Sequence, residues 1–174
     1  IRRQRQMCIR DRGEGIFDNP HGIFIDREDR VHLVDCGDHT VRTFTTDGRL
    51  LSMLGEPGVA SDTGFAIDVS PVTHAGAPFN KVTNVAVCPD GSRYVADGYG
   101  NARVHKFDAD GQHLVSWGVP GSGPGEFNLP HGIAVDSAGT VYVADRENSR
   151  IQLFDPDGGY KTEWGFVNRP DDIF

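Results

Sequence analysis

Residues 121–151 read GSGPGEFNLPHGIAVDSAGTVYVADRENSRI. Thr140-Val141-Tyr142-Val143 is a short run rich in β-branched and aromatic residues, and Gly132-Ile133-Ala134-Val135 is a second apolar run just before it. Both are bounded by Pro, Gly, Asp and Asn, the signature of short strands joined by turns. The same pattern recurs along the chain, and such self-similarity governs the fold. Pro20-His21-Gly22-Ile23-Phe24-Ile25-Asp26, Val82-Thr83-Asn84-Val85-Ala86-Val87-Cys88 and Pro130-His131-Gly132-Ile133-Ala134-Val135-Asp136 align with one another. Phe17, Phe79 and Phe127 stand four residues before the His/Thr position, and Asp35, Asp97 and Asp145 stand fourteen after it. Each unit then runs to Phe44, Phe107 or Phe154, and turns at Asp47-Gly48, Asp110-Gly111 or Asp157-Gly158. It closes at Leu54-Gly55, Trp117-Gly118 or Trp164-Gly165.

Val31-His32-Leu33-Val34 and Arg93-Tyr94-Val95-Ala96 match Thr140–Val143 as second strands, and Asp-Gly turns lead into the closing strand. No segment carries a helical period. Four short antiparallel strands per unit, repeated at 62, 48 and 40 residues, describe β-propeller blades. The units lie near 17–55, 79–118 and 127–165, with an insertion over 56–78. A fourth unit opens at Arg169-Pro170-Asp171-Asp172-Ile173. Propellers close with four to eight blades, and an open stack leaves bare edges. The expected fold is therefore all-β, a propeller of about three blades plus the start of a fourth, or half of a six-bladed ring.

The first twelve residues, IRRQRQMCIRDR, share none of this pattern. They read as a non-native, adapter-like or disordered segment and are left out of the fold, which is assigned to 13–174. The formal charge of the whole chain is −8. Leaving out five Arg and one Asp makes 12 Lys+Arg against 24 Asp+Glu, a charge of −12. That acidity disfavours nucleic acid as a partner. Three Cys are too few for a disulfide scaffold, and no apolar run approaches the length of a membrane span.

His21 and His131 occupy the same repeat position, at the start of the innermost strand and one mouth of the channel. Two imidazoles from different blades converge there. Imidazole is the commonest zinc ligand, and catalytic zinc takes three protein ligands. The equivalents are Thr83 and Asp171, so the pattern leaves two readings open: metal ligation, or a position that tolerates histidine. In the second unit, Asp97 to Phe107 is one residue longer than its counterparts. An extra residue beside Gly98 and Gly100 can re-aim Tyr99, or leave it a surface tyrosine against a neighbouring loop. Arg146 aligns with Gly98. It can clamp a carboxylate or pair with Glu147 or Asp145. Arg103 and Arg150 match across repeats and read as structural.

The Gly121–Ile151 stretch resembles the NHL repeat. Asp97-Gly98-Tyr99-x-Asn101-x-Arg103, Trp117-Gly118, Pro130-His131 and Ala144-Asp145-Arg146-Glu147-Asn148 together resemble the peptidyl-α-hydroxyglycine α-amidating lyases, and Pro20-His21-Gly22 with His39 fits them too. The resemblance implies a six-bladed NHL-type propeller. It implies cleavage of a C-terminal α-hydroxyglycine to a peptide amide and glyoxylate, and an exported protein. It implies zinc on His21 and His131, with Tyr99 as base and Arg146 at the active site. It also implies calcium, held partly by the Ile23 carbonyl. A third zinc histidine belongs beyond Phe174 and another active-site arginine before Gly13. The cysteine that animal members carry beside the loop tyrosine is Gly100 here, so that family disulfide is absent.

The expected chemistry is zinc-assisted elimination on a peptide substrate. Tyr99 takes the hydroxyl proton and Arg146 holds the carboxylate. A free tyrosine titrates near ~10, so this role calls for a neighbouring cation. The rival reading is a non-catalytic NHL propeller that binds a protein or peptide partner. A propeller lactonase would use calcium and carboxylates, which the histidine pair argues against.

Overall fold

A computed structural model describes residues 15–67 and 71–174. The twelve-residue N-terminal segment lies outside the described residues. Among those residues there is no helix. The first sheet comprises β1 (Pro20–Ile25), β2 (Val31–Asp35), β3 (Thr40–Phe44) and β4 (Leu50–Leu54). The second comprises β5 (Val82–Val87), β6 (Arg93–Asp97), β7 (Arg103–Phe107) and β8 (His113–Trp117). A two-residue parallel pair follows, β9 (Val119–Pro120) with β10 (Glu126–Phe127), which the repeat pattern did not predict. The third sheet comprises β11 (Pro130–Val135), β12 (Val141–Asp145), β13 (Arg150–Phe154) and β14 (Tyr160–Trp164). In all three sheets the strands pair antiparallel with their sequence neighbours, the meander of a propeller blade.

The Asp-Gly pairs make the turns expected of them. Gly48, Gly111 and Gly158 take φ of 89°, 88° and 91°, and each donates its N–H to the carbonyl three residues back. Asp35, Asp97 and Asp145 are wholly buried at the ends of β2, β6 and β12. Each accepts an N–H from the segment leading into its blade's first strand: Asn19 at 2.8 Å, Asn80 at 3.0 Å and Asn128 at 2.7 Å. The third strand supplies a second donor, His105 to Asp97 at 3.3 Å and Gln152 to Asp145 at 3.2 Å. The repeated aspartate is thus the pin that closes each blade at its channel end.

The core lies between blades. Val34, Val41, Leu54, Phe79, Val82 and Val95 fill the joint of the first and second sheets. Val104, Phe127, Ile133, Val141, Val143 and Phe154 are part of the joint of the second and third. The glycines after the first two closing strands, Gly55 and Gly118, follow from this. At Gly118 the backbone has φ 98°, and a Cβ would fall 2.5 Å from the Phe127 ring.

At the other end of the first blade, the Asp26 carboxylate accepts from the Arg30 side chain at 2.6 Å and from His32 Nε2 at 2.8 Å. It also accepts the Glu28 and Arg30 backbone N–H groups. Burial opposes ionisation of Asp26, but these donors outweigh it and hold the pKa at about 2. A carboxyl depressed in the folded state stabilises above its unfolded pKa, near ~3.9, and loses that contribution as pH falls through the folded value. Burial also lowers the His32 pKa. The unfolded chain then takes that proton first, so stability already falls as pH drops below ~6.5. Asp26→Asn is expected to cost about 2 kcal/mol at pH 7 and progressively less below pH ~4. Urea unfolding at the two pH values checks this, and a loss that does not change with pH would refute the ionic account.

Candidate functional site

Each inner strand departs from regular pairing one or two residues after it begins. The register shifts between Pro20 and Ile23, between Val82 and Asn84, and between Pro130 and Ile133. A bulge turns side chains away from the pleat. Here it falls on His21, Thr83 and His131, so the irregularity that presents these side chains lies in the inner strand.

His21 and His131 come together with their ring centroids 4.9 Å apart. His21 Nδ1 donates to the Thr83 carbonyl at 2.8 Å, and His131 Nδ1 donates to the Asp171 carbonyl at 2.6 Å. Each histidine is therefore fixed by the backbone of the equivalent residue one blade further on. A carbonyl only accepts, so Nδ1 carries the hydrogen in both rings, and in the neutral ring Nε2 keeps its lone pair. Both Nε2 atoms reach one phenol: Tyr99 Oη is 3.2 Å from His21 Nε2 and 3.0 Å from His131 Nε2. Burial lowers the His131 pKa, the Asp171 carbonyl opposes this, and His21 and Arg146 lower it further. The neutral form so favoured is the one that ligates metals.

Thr83, at the same repeat position, is not turned to this point. Its hydroxyl sits between the carbonyls of Ala96 at 3.1 Å and Pro130 at 2.9 Å and shares its one hydrogen with them, tying the second blade to the third.

Arg146 corrects the alignment. Its backbone N–H donates to the carbonyl of Leu129, the residue before β11. In the second blade the N–H that donates to the equivalent residue, Lys81, belongs to Tyr99, not Gly98. In the first blade Cys36 makes that bond to Asn19. Arg146 therefore corresponds to Tyr99 and Cys36, and Gly98 is the inserted residue. Counting from the aspartate could not reveal on which side of the tyrosine the extra residue fell. The correspondence brings Tyr99 and Arg146 to the same channel end from adjacent blades, with Arg146 Nη1 3.5 Å from Tyr99 Oη. The Nε edge of Arg146 faces Asp171 at 3.1 Å and Glu147 at 3.5 Å. Asp145 is taken instead by Arg150 at 2.7 Å, which also donates to the carbonyls of Ser122, Gly123 and Glu126. His39 accepts the Lys81 N–H at 2.9 Å and serves the loop.

A cavity of about 490 Å³ opens over these groups, lined by His21, Tyr99, His131 and Arg146 together with Ile23, Asn84, Asp171 and Asp172. Two acceptor nitrogens face one hydroxyl that has a single proton to give. One nitrogen lone pair is left against the phenol oxygen, an arrangement that a cation relieves. This fits two ligands of a zinc ion. Among the described residues no three His, Cys, Asp or Glu side chains surround one point. Cys36 and Cys88 are free thiols.

Residues 127–154 match the family model described as NHL repeat. The chain is 38% identical over 143 residues to NHL repeat-containing protein 3 of Homo sapiens, covering 77% of this chain and 38% of that protein. It is 35% identical over 155 residues to a probable peptidyl-alpha-hydroxyglycine alpha-amidating lyase of Caenorhabditis elegans, covering 87% of this chain and 41% of that one. It thus spans about two fifths of the length of these two relatives. A solved streptogramin B lyase superposes with a TM-score of 0.63 at 18% identity, covering 89% of this chain and 44% of that one, a likeness of fold alone. The chain folds as β-propeller blades, carries an NHL-repeat match over residues 127–154 and resembles the amidating lyases.

Proposed function

We propose that this chain carries part of the active site of a peptidyl-α-hydroxyglycine α-amidating lyase, which cleaves its substrate to a peptide amide and glyoxylate. The observation that carries the reading is the convergence of His21 Nε2 and His131 Nε2 on the Tyr99 hydroxyl. In this reading His21 and His131 hold zinc, which when bound polarises the substrate hydroxyl. A cation beside a phenol favours its ionised form, and in this reading Tyr99 Oη takes the hydroxyl proton. The carbon–oxygen double bond of glyoxylate forms, the carbon–nitrogen bond breaks, and the electron pair leaves with the amide nitrogen, which takes up the proton that Tyr99 accepted. The Nη edge of Arg146 meets the substrate carboxylate, while Asp171 and Glu147 fix its Nε edge. Ile23 shares the cavity with Asn84, Asp171 and Asp172, and oxygen ligands of that kind suit the calcium ion of the same proposal. The three sheets then belong to a six-bladed ring whose other blades supply the third imidazole and a second arginine. The export implied by the lyase resemblance is part of the same proposal.

Equilibrium dialysis against zinc tests the metal site on the chain itself. About one zinc per chain is expected, with affinity falling tenfold or more in His21→Ala and in His131→Ala. Equal zinc uptake by all three would overturn the assignment. The comparable identity to NHL repeat-containing protein 3 favours a second reading, a propeller that binds a protein or peptide without catalysis. A chain that takes up no zinc but captures a peptide would support it.

A further inference from the structure

The insertion over 56–78 and the extra residue before Tyr99 are two parts of one construction. The Thr63 hydroxyl donates to the Gly100 carbonyl. Asn101 donates to the Gly76 carbonyl at 2.9 Å and accepts the Gly76 N–H at 3.1 Å. Asn80 donates to the Ser61 carbonyl at 2.9 Å. The insertion is thereby fastened to the loop that presents Tyr99. Between them lies a cavity of about 450 Å³, distinct from the one over the imidazoles but sharing His21 and Tyr99 with it. Phe65, Ile67 and Val72 of the insertion line it together with Phe127 and Leu129. Among the described lining residues Lys81 carries a full charge, and its ammonium lies 5.7 Å from the Phe65 ring centroid.

We propose that this cavity is a subsite for an apolar or aromatic side chain of the substrate, that of the residue preceding the hydroxyglycine. The proposal rests on the lyase reading for the position of the reacting carbon. The apolar walls supply the attraction. Lys81 sets the exclusion: a lysine or arginine side chain meets a like charge there.

The test uses two fluorine-labelled probes that need no turnover, N-acetyl-4-fluorophenylalanyl-glycine and N-acetyl-4-fluorophenylalanine amide, followed by fluorine NMR on the whole chain. Both probes are expected to bind, to be displaced by N-acetyl-leucyl-glycine, and to resist displacement by N-acetyl-lysyl-glycine. Phe65→Ala and Ile67→Asp are expected to weaken both about tenfold. Ile67 is 93% exposed, so a charge at that rim leaves the core intact. Arg146→Gln should weaken the glycine probe and spare the amide. No binding by the wild type, unchanged binding in both pocket variants, or equal displacement by the lysine peptide would overturn the subsite. If the amide binds as expected while zinc uptake is indifferent to His21 and His131, the subsite stands and the lyase reading fails.

Discussion

Tyr99→Phe is expected, under the lyase reading proposed above, to lower glyoxylate release by about 10²- to 10⁴-fold, the range that a positioned proton acceptor supplies. Zinc content should stay the same. The substitution removes one oxygen and leaves the ring, whose edge-to-face contacts with His21 and His131 have centroid separations of 5.2 and 5.4 Å. His21 and His131 keep their Nδ1 bonds to the Thr83 and Asp171 carbonyls, so both imidazoles stay oriented without the phenol. The comparison that makes the result specific is Arg146→Gln. That change removes the carboxylate partner and is expected to raise KM more than it lowers kcat. A Tyr99→Phe protein with unchanged turnover would remove Tyr99 from the reaction. One that also lost its zinc would make the tyrosine a ligand.

The blades were legible because each repeated residue answers a local physical need. Asp35, Asp97 and Asp145 recur because the N–H groups entering each blade are buried and need an acceptor. Gly55 and Gly118 recur because Phe79 and Phe127 of the next blade occupy the space a Cβ would take. Such constraints act within a few residues and leave a periodic trace. For Tyr99, His21 and His131 the repeat position and the added residue each left two readings open, and the lyase resemblance singled the three out. The pairing of Arg146 with Tyr99 was not legible, since an insertion of one residue gives two alignments that only the bonds to Lys81 and Leu129 tell apart. The walls of the apolar cavity left no trace either. Phe65, Ile67 and Val72 have no counterpart in the other blades, and Phe127 and Leu129, which line the cavity with them, are about sixty residues away. Contacts between a unique insertion and a distant blade obey no period.

Gly98→Ala should cost at least about 3 kcal/mol of stability, the scale of an overpacked joint that cannot relax. A methyl group at this position would stand 1.9 Å from the Pro130 carbonyl oxygen and 2.8 Å from its carbon. These are backbone atoms, and they are not free to yield. The Pro130 oxygen accepts the buried Thr83 hydroxyl at 2.9 Å, and Pro130 opens the strand that carries His131. Relief therefore requires the second blade's loop to move off the third blade's inner strand, which also separates Tyr99 from His131. Zinc affinity should fall together with stability, although Gly98 touches no metal. Gly165→Ala is the control: nothing lies within 4 Å of its added carbon, and it too follows a closing strand. It is expected to change stability by less than about 0.5 kcal/mol. Urea unfolding of both variants reads the difference. If Gly98→Ala were as mild as Gly165→Ala, the two blades would not be in the contact that unites Tyr99 and His131, and the candidate site would lose its geometric basis.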